Sequence, residues 1–218
     1  MRRLLIGIAA GVVILLVAAQ LVLPRIAERR VRSELSGVAT VSDVHVSSFP
    51  AVKLLFGDID SLTASLQDPT TSRDQLGALI ARTKRIDRLR IVAARARVAG
   101  LDLTDARLTK DGGALSADAT VTLEQLAAAL PAGTRIDSLA ATAGGLRVDG
   151  AFQVLGTEVD GPALVSAQDG AIVVSPAGGL LSALARLTVF SDPRVSVGDL
   201  RGRQDGDLIH LGADGRLL

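Results

Sequence analysis

Asp205-Gly206-Asp207-Leu208-Ile209-His210-Leu211 sets a tight-turn dipeptide directly ahead of a predicted strand in which His210 stands between Ile209 and Leu211. Asp-Gly suits two-residue hairpin turns because both central residues tolerate positive φ, and strict alternation is the mark of a half-buried strand. The same dipeptide stands at 111, 149, 160, 169 and 214. Turn signals separating short extended runs at roughly ten-residue spacing predict an antiparallel meander over the C-terminal half.

Working back towards the amino terminus, Thr122-Leu123-Glu124-Gln125 has the spacing of a capping box, and Leu123, Leu126 and Leu130 give the helix after it an apolar stripe that Pro131 ends. Further short helices are predicted from Ser72 to Arg82 and from Gly179 to Leu187. The segment Ile86–Val98 reads as a long strand whose parity changes. Leu89 and Ile91 share a face with Arg95 and Arg97, and Arg88 and Arg90 share theirs with Val92 and Val98, so a bulge, a strong twist or a break is expected near Ala93. Arg85-Ile86-Asp87 and Leu89 recur as Arg135-Ile136-Asp137 and Leu139, each opening an extended run, an echo of a duplicated strand. Val44 and Val46 alternate with Asp43 and His45, and a second alternating run covers Ile59 to Leu66. The fold class is therefore α+β and β-rich, an antiparallel sheet packed on a few short helices.

Met1-Arg2-Arg3 precedes an uncharged run from Leu4 to Leu23. At ~1.5 Å per residue this reaches ~30 Å, the thickness of a bilayer's hydrocarbon core. Residues 1–24 thus form a transmembrane segment, or a signal peptide cleaved after Ala19 in Val17-Ala18-Ala19, and residues 25–218 a single domain. Arg25, Arg29, Arg30 and Arg32 outnumber Arg2 and Arg3, which by the positive-inside rule alone would keep the body in the cytoplasm. That rule weakens for a large following domain, and export is expected: a body on the extracytoplasmic, periplasmic side of the cell membrane, or secreted if cleaved. Ala27, Val31 and Leu35 recur at helical spacing, predicting a short amphipathic helix after Pro24.

The 218 residues carry a net charge of only +1, which supplies no field for nucleic acid. Aromatic side chains are confined to Phe49, Phe56, Phe152 and Phe190, and cysteine is absent. No thiolate chemistry, Cys-ligated zinc or base-stacking platform can be built from this set. Asp43, His45 and Ser47 spell a catalytic triad, but residues i and i+2 on a strand lie ~6.6 Å apart with parallel side chains, not converging. His210 has no nearby ligand cluster, and no nucleophile elbow, phosphate loop or dinucleotide fingerprint occurs. The chain is expected to be no enzyme and to need no metal or cofactor.

Two features point to lipid. Phe49-Pro50-Ala51-Val52-Lys53-Leu54-Leu55-Phe56-Gly57 is the most hydrophobic stretch of the body. On an α-helix Val52, Leu55 and Phe56 share a face that plugs a core, while Leu54 points elsewhere, as a lip on acyl chains would. Arg88, Arg90, Arg95 and Arg97 belong to the one concentration of positive charge, and arginine's planar fork suits a phosphate headgroup. A charged, solvated strand edge is the competing reading of that run.

The order of elements resembles the LmeA-like phospholipid-binding family of actinobacterial envelope proteins. The likeness rests on the N-terminal apolar run, the basic helix Arg25–Leu35, the Phe49–Gly57 block, Ala119-Thr120-Val121-Thr122-Leu123-Glu124-Gln125-Leu126, and the meander ending in Asp205-Gly206-Asp207-Leu208-Ile209. It implies a curved, elongated sheet wrapped on helices, similar to tubular lipid-binding folds, with an apolar groove for lipid tails. Some members are tied to maturation of mannose-containing glycolipids. The helical stretch Ser72–Arg82 and the missing tyrosines depart from the family pattern. The expected function is non-catalytic binding or carriage of a phospholipid or glycolipid at the membrane. Phe49, Leu54, Leu55 and Phe56 would border the groove, with Arg88, Arg90, Arg95 and Arg97 at the headgroup. The alternative is an envelope scaffold that binds another protein, of unknown identity, and no lipid.

Overall fold

The computed structural model describes residues 23–33, 40–72, 75, 80, 82–98, 100–128, 135–154, 157–177 and 186–218. The apolar run up to residue 22, the cleavage site after Ala19 and most of the helix expected at 179–187 lie outside the described residues; Leu187 itself opens a strand. Among the described residues, no helix is long and apolar enough to cross a membrane.

Helix α1 spans residues 23–33. Strands β1 (Thr40–Ser47) and β2 (Ile59–Gln67) flank a 3-10 helix at Ala51–Phe56; β3 (Thr70–Thr71) and a second 3-10 turn at Thr83–Arg85 lead to β4 (Ile86–Val98). Then come β5 (Leu101–Asp111), β6 (Ala114–Thr122), helix α2 (Leu123–Ala128), β7 (Arg135–Thr142), β8 (Gly145–Val154), β9 (Thr157–Gln168), β10 (Ala171–Pro176), β11 (Leu187–Phe190), β12 (Val195–Asp205) and β13 (Leu208–Leu217).

The body is β-rich with few short helices, as expected, but it holds two curved, unclosed sheets in place of one. The larger runs β1-β2-β4-β5-β6-β13-β12, with β3 beside β4; the smaller runs β11-β10-β9-β8-β7. Nor is the pairing wholly antiparallel. β2 and β4 run parallel, with Leu62 opposite Leu89 and Ala64 opposite Ile91. A parallel pair needs a crossover of a dozen or so residues, and residues 68–85, helical at Gln75, Ile80 and Arg82, supply it. Ser72 and Gln75 there exchange the same reciprocal bonds as the capping box expected at Thr122 and Gln125. In each, the hydroxyl accepts from the glutamine N–H and the glutamine amide oxygen accepts from the first residue's N–H, at 3.1–3.3 Å.

The Asp-Gly dipeptides divide into two kinds. Asp169 (φ 51°) and Gly170 (φ 78°) form a two-residue turn between paired Gln168 and Ala171. At 111 and 205 the aspartate ends its strand and only the glycine enters the turn, with positive φ. The dipeptides at 149, 160 and 214 are not turns: they lie inside β8, β9 and β13. Backbone proximity explains two of these glycines. A Cβ on Gly150 would sit 1.9 Å from the Arg135 carbonyl oxygen, where β7 bulges between Ile136 and Ser138, and one on Gly215 would sit 2.6 Å from the Ser196 carbonyl, where β12 bulges. Gly161, paired with Gly150, has open space around it.

The parity change in β4 is real, and β4 does not break. After Ile86, its buried residues Leu89, Ala93 and Ala96 are spaced four and then three apart, and Ala94 and Arg95 are both exposed. On the facing strand Asp105 takes φ 51°, and β5 slips against β6 between Thr104 and Arg107. The two strands thus exchange faces together at this point. Leu89, Ile91, Ala93 and Ala96 remain on the core side, and all four candidate arginines stand on the exposed side. The duplicated string also matches in structure, since Ile86 and Leu89 are buried at the start of β4 as Ile136 and Leu139 are at the start of β7.

Register makes the large sheet two-faced, because directly paired residues share a face. Val44, Ala64, Ile91, Leu108, Ala117, Ala213 and Leu200 stand opposite one another in turn across all seven main strands. One residue along, His45, Thr63, Arg90, Thr109, Ser116, Asp214 and Asp199 form an equally continuous polar row. Each end of the apolar face has its own core. Val44, Val46, Leu62, Ala64, Ile86 and Leu89 pack under Ala27 and Val31 of α1 and under Leu54. At the other end Val121 and Ile209 meet Ile136, Leu139, Leu146 and Val148 of the small sheet, with Leu123 and Leu126 of α2 against them. The Leu139 N–H donates to the Gln204 side-chain oxygen at 2.8 Å, tying the two sheets by a polar contact as well.

Candidate lipid-facing surface

Along the seven-residue apolar row, burial changes from end to end. Val44 and Ala64 are buried, Ile91, Leu108, Ala213 and Leu200 are half-buried, and Ala117 is exposed. The row beside it, Val46, Leu62, Leu89, Lys110 and Leu115, is buried throughout. Three covers explain the difference: α1 with Leu54 at one end, Ile80 over Leu115, Val195 and Leu217, and the small sheet with α2 at the far end. Between them the strip from Ile91 to Leu200 keeps apolar surface in contact with solvent. A strip of aliphatic side chains a few strands wide offers shape and dispersion contact to hydrocarbon, and no nucleophile or base.

The Phe49–Gly57 block folds as a 3-10 helix rather than an α-helix, and this re-aims its side chains. At three residues per turn positions i and i+3 eclipse, so Ala51 (1% exposed) and Leu54 face the core together. Leu54 is therefore a core-contacting residue and does not point away as the α-helical reading expected. The side chains of Val52, Leu55 and Phe56 lie outside the described residues. Phe49 is 78% exposed. Its N–H donates to Asp60 Oδ2 at 2.6 Å, and Lys53 Nζ donates to Asp60 Oδ1 at 3.1 Å.

Those bonds, first from the Phe49 amide and then from Lys53, hold the Asp60 carboxyl below its ordinary value of 3.8. A carboxylate whose pKa is depressed on folding contributes stability above the unfolded value that is lost as pH falls through the folded one. On acidification below pH 3.8, wild type should therefore lose more thermal stability than Asp60→Asn, which cannot titrate. Parallel melting curves across acid pH would place the effect elsewhere.

The four candidate arginines occupy the polar side of β4. Arg97 binds Asp102 through two bonds of 2.5 and 2.9 Å, and Arg95 lies 3.1 Å from Asp68. Arg88 and Arg90 make no ion pair among the described residues. All four stand on the far side of the sheet from the apolar strip. His45 faces Glu28 of α1 at 3.4 Å, and Glu28 also accepts the Val46 N–H, so this carboxylate caps part of the open edge of β1. His210 Nδ1 lies 3.0 Å from the Thr120 hydroxyl.

Lys110 is the one charged residue in the buried row; its ammonium donates to the Ile86 carbonyl. Burial pushes its pKa down, and Asp87 and Asp111 offset part of that. It opens on a cavity of about 290 Å³ lined also by Lys84, Asp87, Gly112, Gly113, Leu217 and Leu218.

A family model describing LmeA-like phospholipid-binding proteins matches residues 15–206. The chain belongs to this family. The match runs from within the apolar N-terminal run to the turn at Asp205-Gly206, so every element of the LmeA-like body from α1 to β12 falls inside it. No curated protein and no solved structure gives a significant match. Sequence reading placed the candidate residues of this LmeA-like chain on the Phe49 block and on β4, and it missed Leu108, Ala117, Ala213 and Leu200. Each is an unremarked aliphatic residue in an alternating run, and only cross-strand register joins them into one surface.

Proposed function

We propose that the body binds phospholipid without catalysis, laying acyl chains along the apolar strip from Ile91 to Leu200. The half-covered, seven-strand apolar row carries this reading, with membership of a phospholipid-binding family supporting the ligand class. Leu54, packed with α1 on the Val44 core, closes the strip's α1 end in this reading. Arg88, Arg90, Arg95 and Arg97 project from the opposite face of β4, an interior strand, so they are not headgroup contacts for a lipid lying on the strip. The apolar run at residues 4–23 delivers the body to the extracytoplasmic side of the membrane, anchored there or released after Ala19. Glycolipid is the other ligand class in view.

Ala117→Trp tests the strip, since the position is exposed and the new side chain would fill it. Native mass spectrometry of residues 23–218 prepared without detergent should show wild type carrying lipid-sized adducts and Ala117→Trp, equally folded, losing most of them. A clean lipid-free wild type that ignores liposomes would overturn the proposal and favour the scaffold.

A further inference from the structure

The parallel pairing of β2 with β4 has a spatial consequence. Ile59 stands opposite Ile86, so the 3-10 helix preceding β2 and the 3-10 turn preceding β4 lie side by side at one end of the large sheet. They touch: a Cβ on Gly57 would lie 3.2 Å from the Arg85 guanidinium. The same end carries the β5–β6 turn at Gly112-Gly113 and the cavity beside Lys110 and Lys84.

Phe49 projects from this end and is the most exposed large hydrophobic residue among those described. Its exposure is imposed by the backbone. Ser48 on one side and Ala51 on the other are buried, the Ser48 hydroxyl donates to the Asp58 carbonyl, and the Phe49 N–H is taken by Asp60. This end of the sheet carries Lys53, Arg82, Lys84, Arg85, Arg88 and Lys110 against Asp58, Asp60, Asp87 and Asp111, a net positive set. An aromatic ring held out of the fold within a basic rim fits the interface of an anionic bilayer, where the ring enters the headgroup boundary and the cations meet lipid phosphates. Glu28 bonds the Val46 N–H three residues before Phe49, so α1, which continues the apolar run read from the sequence, reaches the same end.

We infer that this end of the sheet is a membrane-docking tip, with Phe49 as its inserted residue and an anionic lipid surface as its partner. This goes beyond binding of a single lipid on the strip, and it can fail while that proposal holds. The strip crosses the strands, so docking by this end leaves the buried row Val46, Leu62, Leu89, Lys110 and Leu115 between the strip and the membrane.

The chain contains no tryptophan, so Phe49→Trp creates a sole reporter in the full-length protein. Leu208→Trp, at the opposite end of β13 and also exposed, is the matched control. Each is reconstituted into vesicles of brominated phosphatidylcholine, with or without brominated phosphatidylglycerol. Docking requires several-fold stronger quenching of the Phe49→Trp reporter than of the Leu208→Trp reporter in the anionic vesicles. Adding Arg82→Glu with Lys84→Glu, or raising the salt, should weaken it. Equal quenching of both reporters, or none at Phe49→Trp, overturns the tip; quenching indifferent to phosphatidylglycerol overturns the anionic partner. Lipid still retained by an unquenched protein would overturn docking alone.

Discussion

Ile209→Ala is expected to lower the unfolding free energy by about 3 kcal/mol, within the ~2–5 kcal/mol range of buried isoleucine truncations. Ile209 is 0% exposed and sits where β13 of the large sheet faces Ile136, Leu139, Leu146 and Val148 of the small one. The cavity left behind would lie between two sheets, and neither can close over it without disturbing the Leu139–Gln204 bond. Urea denaturation gives the energy, and amide exchange gives its location. Protection should fall first in β7 and β8, while β1, β2 and β4 depend on their own core under α1. A loss below ~0.5 kcal/mol, the usual scale of surface changes, would mean that the two sheets are not held by this contact.

Gly150→Ala is the second large effect, and Gly161→Ala is its internal control. The two glycines are directly paired and each follows an aspartate, yet only Gly150 faces a carbonyl oxygen, 1.9 Å from where its Cβ would stand. Accommodating the methyl group means pushing β7 away at its bulge, at a cost of about 3 kcal/mol on the scale of overpacked sites. At Gly161 nothing lies within 4 Å, and the change should stay within ~0.5 kcal/mol. Denaturation midpoints of the pair decide the matter. Equal values would mean that Asp149-Gly150 and Asp160-Gly161 are retained for a reason unrelated to backbone approach.

Local chemistry was legible in the sequence, and pairing was not. The Thr122–Gln125 box, the amphipathic spacing of Ala27 and Val31, and the meander of the C-terminal half depend on residues a few positions apart, and all reappear. Whether an Asp-Gly is a turn or a strand interior depends on a neighbour elsewhere in the chain, such as Arg135 for Gly150, and half of those dipeptides were misassigned on that account. Parity in β4 signalled a face change, but the residue that helps produce it, Asp105, is on another strand. Leu54 turned inward because three residues per turn replaced 3.6 in the Phe49 block. The candidate surface was the least legible part, because its residues acquire a common face only through six separate pairings.

That same row has a consequence for assembly. Residue 91 at one end of its open part and residues 200 and 213 at the other are contributed by distant parts of the chain, so the surface does not exist until β4 has been joined through β5 and β6 to the last two strands. A molecule lying across it would bridge separate segments and act as a staple between them, adding stability that grows with the logarithm of its free concentration once that exceeds the dissociation constant. Occupancy would then certify a finished fold: a truncated or half-assembled chain lacks the surface altogether, and an empty one would be recognisable by looser protection at both ends of the sheet.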